Sequence, residues 1–314
     1  MSATTSVAST RMMAARDKER SHRIRMVILC AAAITLIAGL AVYGFDYYIL
    51  GAADRPFSAK HALLRPSGKI GLRLGFLGFA MFLSIFLYPL RKHWTWLSRQ
   101  GSSKHWLDIH VLLGLSAPFI IAFHSSFKFQ GFAGMAFWIM LAVSLSGIIG
   151  RYVYAQIPRN LNTAELSRKE LQELQASLSE GLVQQKLLPE GGLRSLLSLP
   201  SAERVERYSI VTALAYMMAL DFMRPLRIAA IRRSALSWGK QFSSLGGLRK
   251  THNYALERAI ATAREEAALS KRILFLSRSQ QVFHLWHVIH KPFSYSFALL
   301  AIIHIVVVTM MGYF

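Results

Sequence analysis

Five uncharged apolar runs punctuate the chain, at Met26–Phe45, Leu74–Leu90, Ile109–Phe127, Phe129–Gly150 and Pro292–Phe314. Each is at or near the length at which a helix crosses a hydrocarbon core. The runs are apolar all round rather than on one stripe, the pattern of a helix surrounded by lipid and neighbouring spans. The first is longer than the apolar core of a cleaved signal peptide, so an uncleaved anchor is expected. Gly71, Gly75 and Gly78 recur at helical spacing around the second run, which predicts simple close packing of a neighbouring helix there.

Between the fourth and fifth runs lies Arg151–Val282, too polar to span a membrane and helical in pattern. Asn162 and Glu165 read as a capping box opening Thr163–Leu178, which lines up Leu166, Leu171, Leu174 and Leu178 and stops at Gly181. Ser201 is expected to cap a second helix that Pro225 ends at Met223, and a third, from about Asn253, to run on into the last span. Tyr208–Leu220 is uncharged but short, and Arg224, Arg227, Arg232 and Arg233 follow it, so it reads as an interfacial or packed helix rather than a sixth span. No glycine-rich nucleotide fingerprint or catalytic motif occurs in the segment, which reads as a helical cap or docking surface. The expected fold is all-α: an integral membrane bundle of five transmembrane helices with a helical cytoplasmic insertion. Its parts are a tail (1–25), four spans (26–155), the insertion (156–282) and the fifth span (283–314).

Charge orients this arrangement. The 314 residues carry a formal net charge of +21. With the N-terminus inside, about thirty Lys and Arg fall on the cytoplasmic side against six opposite, which predicts a cytoplasmic N-terminus and an outside C-terminus in the cell's inner (plasma) membrane. The same asymmetry accounts for the basic charge without nucleic acid. A single cysteine, Cys30, excludes an intrachain disulfide, a CxxCH haem attachment and a cysteine-ligated cluster. Any metal would sit on histidine or oxygen.

The histidines supply the candidate chemistry. His110 and His124 in the third run are fourteen residues apart, and so are His290 and His304 around the fifth. Fourteen steps return to within about 40° of the same helical face and climb roughly 21 Å. Two codirectional helices so equipped offer two tiers of facing imidazoles, His110 with His290 and His124 with His304. Such tiers suit bis-histidine ligation of two flat haems, with these four residues as iron ligands. A zinc or copper site would need its ligands to converge on one ion. Isolated intramembrane histidines often only bridge helices, but two pairs at one interval point beyond packing.

The paired spacings resemble the ferric-reductase-like transmembrane domain shared with NADPH oxidases and, more loosely, the dihaem cytochromes b of quinol-oxidising complexes. The string Trp286–Pro292 is similar to cytochrome b subunits of bacterial redox complexes. The resemblance implies two haem b groups, a possible quinone, and electron relay across the bilayer between a partner subunit or quinone and an acceptor. The family usually adds a sixth span and a flavin and nicotinamide module. With the chain reading to Phe314, separate redox subunits (flavin, iron–sulfur or multihaem proteins) are expected as partners, alongside membrane lipid. Arg91, Lys128, Arg151 and Lys291 at span ends are candidate propionate contacts, although each taken singly reads first as an ordinary snorkelling interfacial cation. His284 and His287 are candidate propionate or quinone contacts, with an interfacial role open. The alternatives are a stand-alone ferric or superoxide reductase and a non-redox membrane anchor.

Overall fold

The computed structural model describes residues 2–157, 173, 198–234, 249–251 and 253–312. Helices account for all the regular structure among them: α1 (Ser2–Tyr48), a 3₁₀ turn (Arg55–Phe57), α2 (His61–Leu64), α3 (Lys69–Leu90), α4 (Thr95–Ser98), α5 (Ser103–His124), α6 (Gly131–Gln156), α7 (Ala202–Arg207), α8 (Ile210–Ser234), α9 (Tyr254–Leu274) and α10 (Leu276–Met310). Five of them, within α1, α3, α5, α6 and α10, are long and apolar enough to cross a membrane. The chain is a multi-pass helical membrane protein on that basis. Their outward faces carry exposed large apolar groups such as Val42, Phe119, Trp138 and Leu299, as a lipid-facing surface requires.

The chain forms two compact units, Met1–Arg151 with Val288–Phe314, and Tyr152–His287. In the first, Leu74 and Met81 of α3, Ala117, Ile120 and Phe123 of α5, and Phe137 and Met140 of α6 make one buried cluster, with Phe297 of α10 packed against it. Ser102 starts α5 by accepting from the His105 amide. Pro118 and Pro292 lie inside α5 and α10 without ending them, since neighbouring packing offsets the one backbone bond each removes.

In the second unit α8 packs on α9 through Ile228 and Ile231 against Leu256, Ile260, Ala263 and Ala267. Three expectations for this region change. The helix after Ser201 stops at Tyr208, whose backbone turns extended. The next helix begins at Ile210 and passes through Pro225 to Ser234, because burial of Ile228, Ala229 and Ile231 outweighs the proline's cost. The helix capped by Asn253 does not continue into the last span: it ends at Leu274, where the fully buried Phe275 turns into the core and a new helix starts at Leu276. The features assigned to Asn162, Thr163–Leu178 and Gly181 lie outside the described residues.

Candidate functional site

α5 carries both histidines of the third span, and α3 sets their orientation. The His124 ring lies over Gly75, where a Cβ would stand 2.8 Å from its Cε1 and 3.0 Å from its Nδ1. The missing side chain lets His124 Nδ1 reach the Gly71 carbonyl at 2.8 Å. Gly75 and Gly78 of α3 thus serve close packing of α5, as the spacing predicts, one against the His124 ring and the other against Ile121, whereas Gly71 is crowded by the Arg65 carbonyl of its own chain turn. One level away, His110 Nδ1 meets the Ile85 carbonyl at 3.0 Å, with the Tyr88 ring 5.1 Å off. A carbonyl only accepts, so in both rings Nδ1 bears the proton and Nε2 keeps its lone pair.

His290 on α10 is held in a similar way. Its Nδ1 lies 2.8 Å from Ser146 Oγ on α6, and that hydroxyl lies 2.8 Å from the Val143 carbonyl. With the serine proton on Val143, its oxygen is the acceptor for His290 Nδ1–H, the same anchoring as on α5. His304 sits within electrostatic range of His124. Between the tiers, seven residues from each of its helix's histidines, Phe297 stacks edge-on to Phe82 at 5.6 Å. Gly114, one turn beyond His110, has no atom within 4 Å of where a Cβ would stand, and neither does Gly147 beside Ser146. Both positions therefore face open space, one on α5 and one on α6.

Histidines whose other ring nitrogen is anchored on a protein acceptor are pre-oriented as metal ligands. Among the described residues no three His, Cys, Asp or Glu side chains gather as a group that could hold a bare ion. Imidazoles anchored in this way are of the type that would hold haem iron.

Next to His110 a charged network joins three helices. His22 of α1 stacks on His105 with ring centroids 3.6 Å apart. His22 Nε2 lies 3.1 Å from Asp108, which accepts from Arg151 at 2.7 Å. His105 Nε2 lies 3.4 Å from Glu19, which pairs with Lys104 at 2.5 Å. His22, Glu19 and Asp108 were not among the sequence candidates: His22 and Asp108 are 86 residues apart, and nothing local to either signals the meeting. Arg151, a propionate candidate, is engaged here with Asp108. Arg91, another, is buried and donates to the Leu97, Ser98 and Gly101 carbonyls and to Ser103 Oγ, clasping the α3–α5 connection. Lys128, Lys291 and His284 are exposed, and the half-buried His287 rests its ring 5.2 Å from Phe283 and 5.3 Å from Trp286.

A second clasp closes the His124 end of α5. Ser126 and Phe127 adopt left-handed backbone with φ of 50° and 58°, a conformation that costs non-glycine residues on the order of 1–2 kcal/mol each. Buried Arg55 offsets it by donating to the Ser126, Leu50 and Tyr48 carbonyls, and Ser126 Oγ donates to the Leu64 carbonyl at 2.8 Å. The turn stops α5 directly after its second histidine.

Two ionic clusters stand out among the described residues of the second unit, one where Arg232 and Thr251 converge on Glu257 and one centred on Asp221. Asp221 accepts from Tyr152 Oη at 2.8 Å, pairs with Arg224 at 3.3 Å and holds buried Lys271. Burial pushes the Lys271 ammonium below the usual lysine range, although the Asp221 hydrogen bond and charge pull it back up. Comparison of the chain with protein-family models, curated proteins and solved structures finds no match in any of the three.

Proposed function

We propose that this chain is a dihaem b-type cytochrome subunit of a membrane oxidoreductase complex, holding one haem between His110 and His290 and a second between His124 and His304. The observation that carries the reading is the shared anchoring of His110, His124 and His290. Each brings Nδ1 to a protein oxygen, and with the proton on Nδ1 the ring turns Nε2, the nitrogen that carries a lone pair, to the metal-ligating role. Ionisable groups at membrane depth are functional candidates by default, and imidazoles fixed in this way are suited to hold haem iron.

The protein's part is placement. The α3 carbonyls of Gly71 and Ile85 fix ring rotation on α5, Ser146 does so for α10, and apolar walls exclude water from both levels. Haem bound by these histidines would supply one-electron Fe(III)/Fe(II) chemistry, and imidazole basicity and burial would tune its potential. The roughly 20 Å between tiers spreads two such centres over much of a hydrocarbon core. On this reading the N-terminus and the insertion lie at the cytoplasmic face of the inner membrane, a side supported by the excess of Lys and Arg there, and redox subunits or quinone exchange electrons at either side. A redox titration of the purified chain tests this: two Nernstian steps of equal amplitude in haem absorbance are expected. One step, or none, overturns it.

A further inference from the structure

The second unit presents an apolar face that its own core does not use. On α8, Val211, Ala215, Met218, Phe222 and Leu226 fall within about 80° of one another and extend over roughly 22 Å. All five are exposed, Val211 at 74% and Phe222 at 76%. The opposite side of the same helix is the packed one, through Ala213, Met217, Leu220, Ile228 and Ile231. A continuous exposed stripe of this kind marks an interaction surface.

The charges around it select the partner. No acidic residue falls on the stripe, and the acid nearest to it in sequence, Asp221, is engaged by Lys271, Arg224 and Tyr152. Past its C-terminal end stands exposed Arg233. At its flank Arg227 borders a shallow cleft with Ser198 and Leu199, while Arg224 lies on the packed side of the helix against Asp221 and Ala267. Arg224 lies within electrostatic range of two further cations, Arg264 and Arg272. The unit is also joined by chain at both ends to membrane-spanning helices, α6 before it and α10 after it. An apolar face edged by arginine matches an anionic lipid leaflet, with acyl chains under the stripe and phosphates at the arginines.

We propose that α8 lies in the membrane interface, with its Val211–Leu226 face in the acyl boundary and Arg227 and Arg233 on anionic headgroups. This does not rest on haem. It explains why α8 is apolar on both faces yet carries too many charges to span: one face packs on protein and the other on lipid.

The test uses the full chain in bilayers of phosphatidylcholine with phosphatidylglycerol. In a Cys30→Ser background, Phe222→Cys and, separately, Val211→Cys are labelled with an environment-sensitive fluorophore, with Ala261→Cys on the exposed side of α9 as reference. At Phe222 and Val211, nitroxide on the lipid acyl chains is expected to quench strongly, and aqueous iodide at least threefold less than at Ala261. Omitting phosphatidylglycerol is expected to raise the iodide access. Iodide quenching equal to that at Ala261 overturns the proposal, as does indifference to the anionic lipid. Protection from both quenchers also overturns it and assigns the face to a protein partner.

Discussion

Gly75→Ala puts the coupling between α3 and the His124 ring to a direct test. The new methyl would stand 2.8 Å from Cε1, and the ring must retreat by about 0.6 Å to reach ordinary van der Waals contact. That movement stretches the 2.8 Å bond from Nδ1 to the Gly71 carbonyl toward about 3.4 Å, beyond useful hydrogen-bond length. Alanine gains about 1 kcal/mol in helix propensity. Against this stand about 1–3 kcal/mol of overpacking and about 1 kcal/mol for the weakened bond. The net expectation is a loss of about 1–3 kcal/mol, with imidazole misdirected at one level alone. Gly39→Ala, where nothing lies within 4 Å, is the control and should match or slightly exceed the native stability. Thermal unfolding followed by size-exclusion, with haem counted per chain, reads both effects: Gly75→Ala should melt earlier and retain about one haem of two. If it keeps native stability and both haems, as Gly39→Ala should, the ring is not held as described.

Three further outcomes are expected. Ser146→Ala removes the acceptor of His290 Nδ1–H and should weaken haem retention at the His110 level about 10–100-fold while sparing the other level, read by competition with apomyoglobin. Asp108→Asn deprives His22 and Arg151 of their shared carboxylate and should cost about 1–3 kcal/mol, discounted for Arg151's partial exposure; a double-mutant cycle with His22→Gln should show coupling of about 1 kcal/mol. Glu266, whose Oε2 is buried without a partner, has its carboxyl pushed above the ordinary 4.5 by burial. As pH rises past 4.5 the unfolded chain releases this proton while the folded unit keeps it, so stability falls until pH reaches the raised folded value. Glu266→Gln should flatten that decline in a pH series of melting temperatures.

The fold class was legible because a membrane helix announces itself in continuous apolar sequence, and the five runs reappear inside α1, α3, α5, α6 and α10. The boundaries were not, because helices extend into water as far as local packing supports them: α10 starts at Leu276, well before the apolar run at Pro292. Pro225 shows the same physics, its cost being set by buried neighbours that sequence does not reveal. For the site, the interval of fourteen singled out His110, His124, His290 and His304 as candidates. What orients them was hidden, since carbonyls of Gly71 and Ile85 have no side-chain signature and Ser146 looks like any small residue in an apolar run. The salt-bridge network of Glu19, His22 and Asp108 was hidden for a similar reason, the contacts being set by how α1 lies along α5.

Haem stoichiometry in single-histidine variants addresses the central claim. With pyridine haemochrome quantitation, the native chain should contain two haems, and His110→Ala and His124→Ala about one each, missing different spectral components. His290→Ala should repeat the His110→Ala spectrum and His304→Ala that of His124→Ala. A chain that binds no haem when supplied with it, or variants that all keep two, would contradict the account.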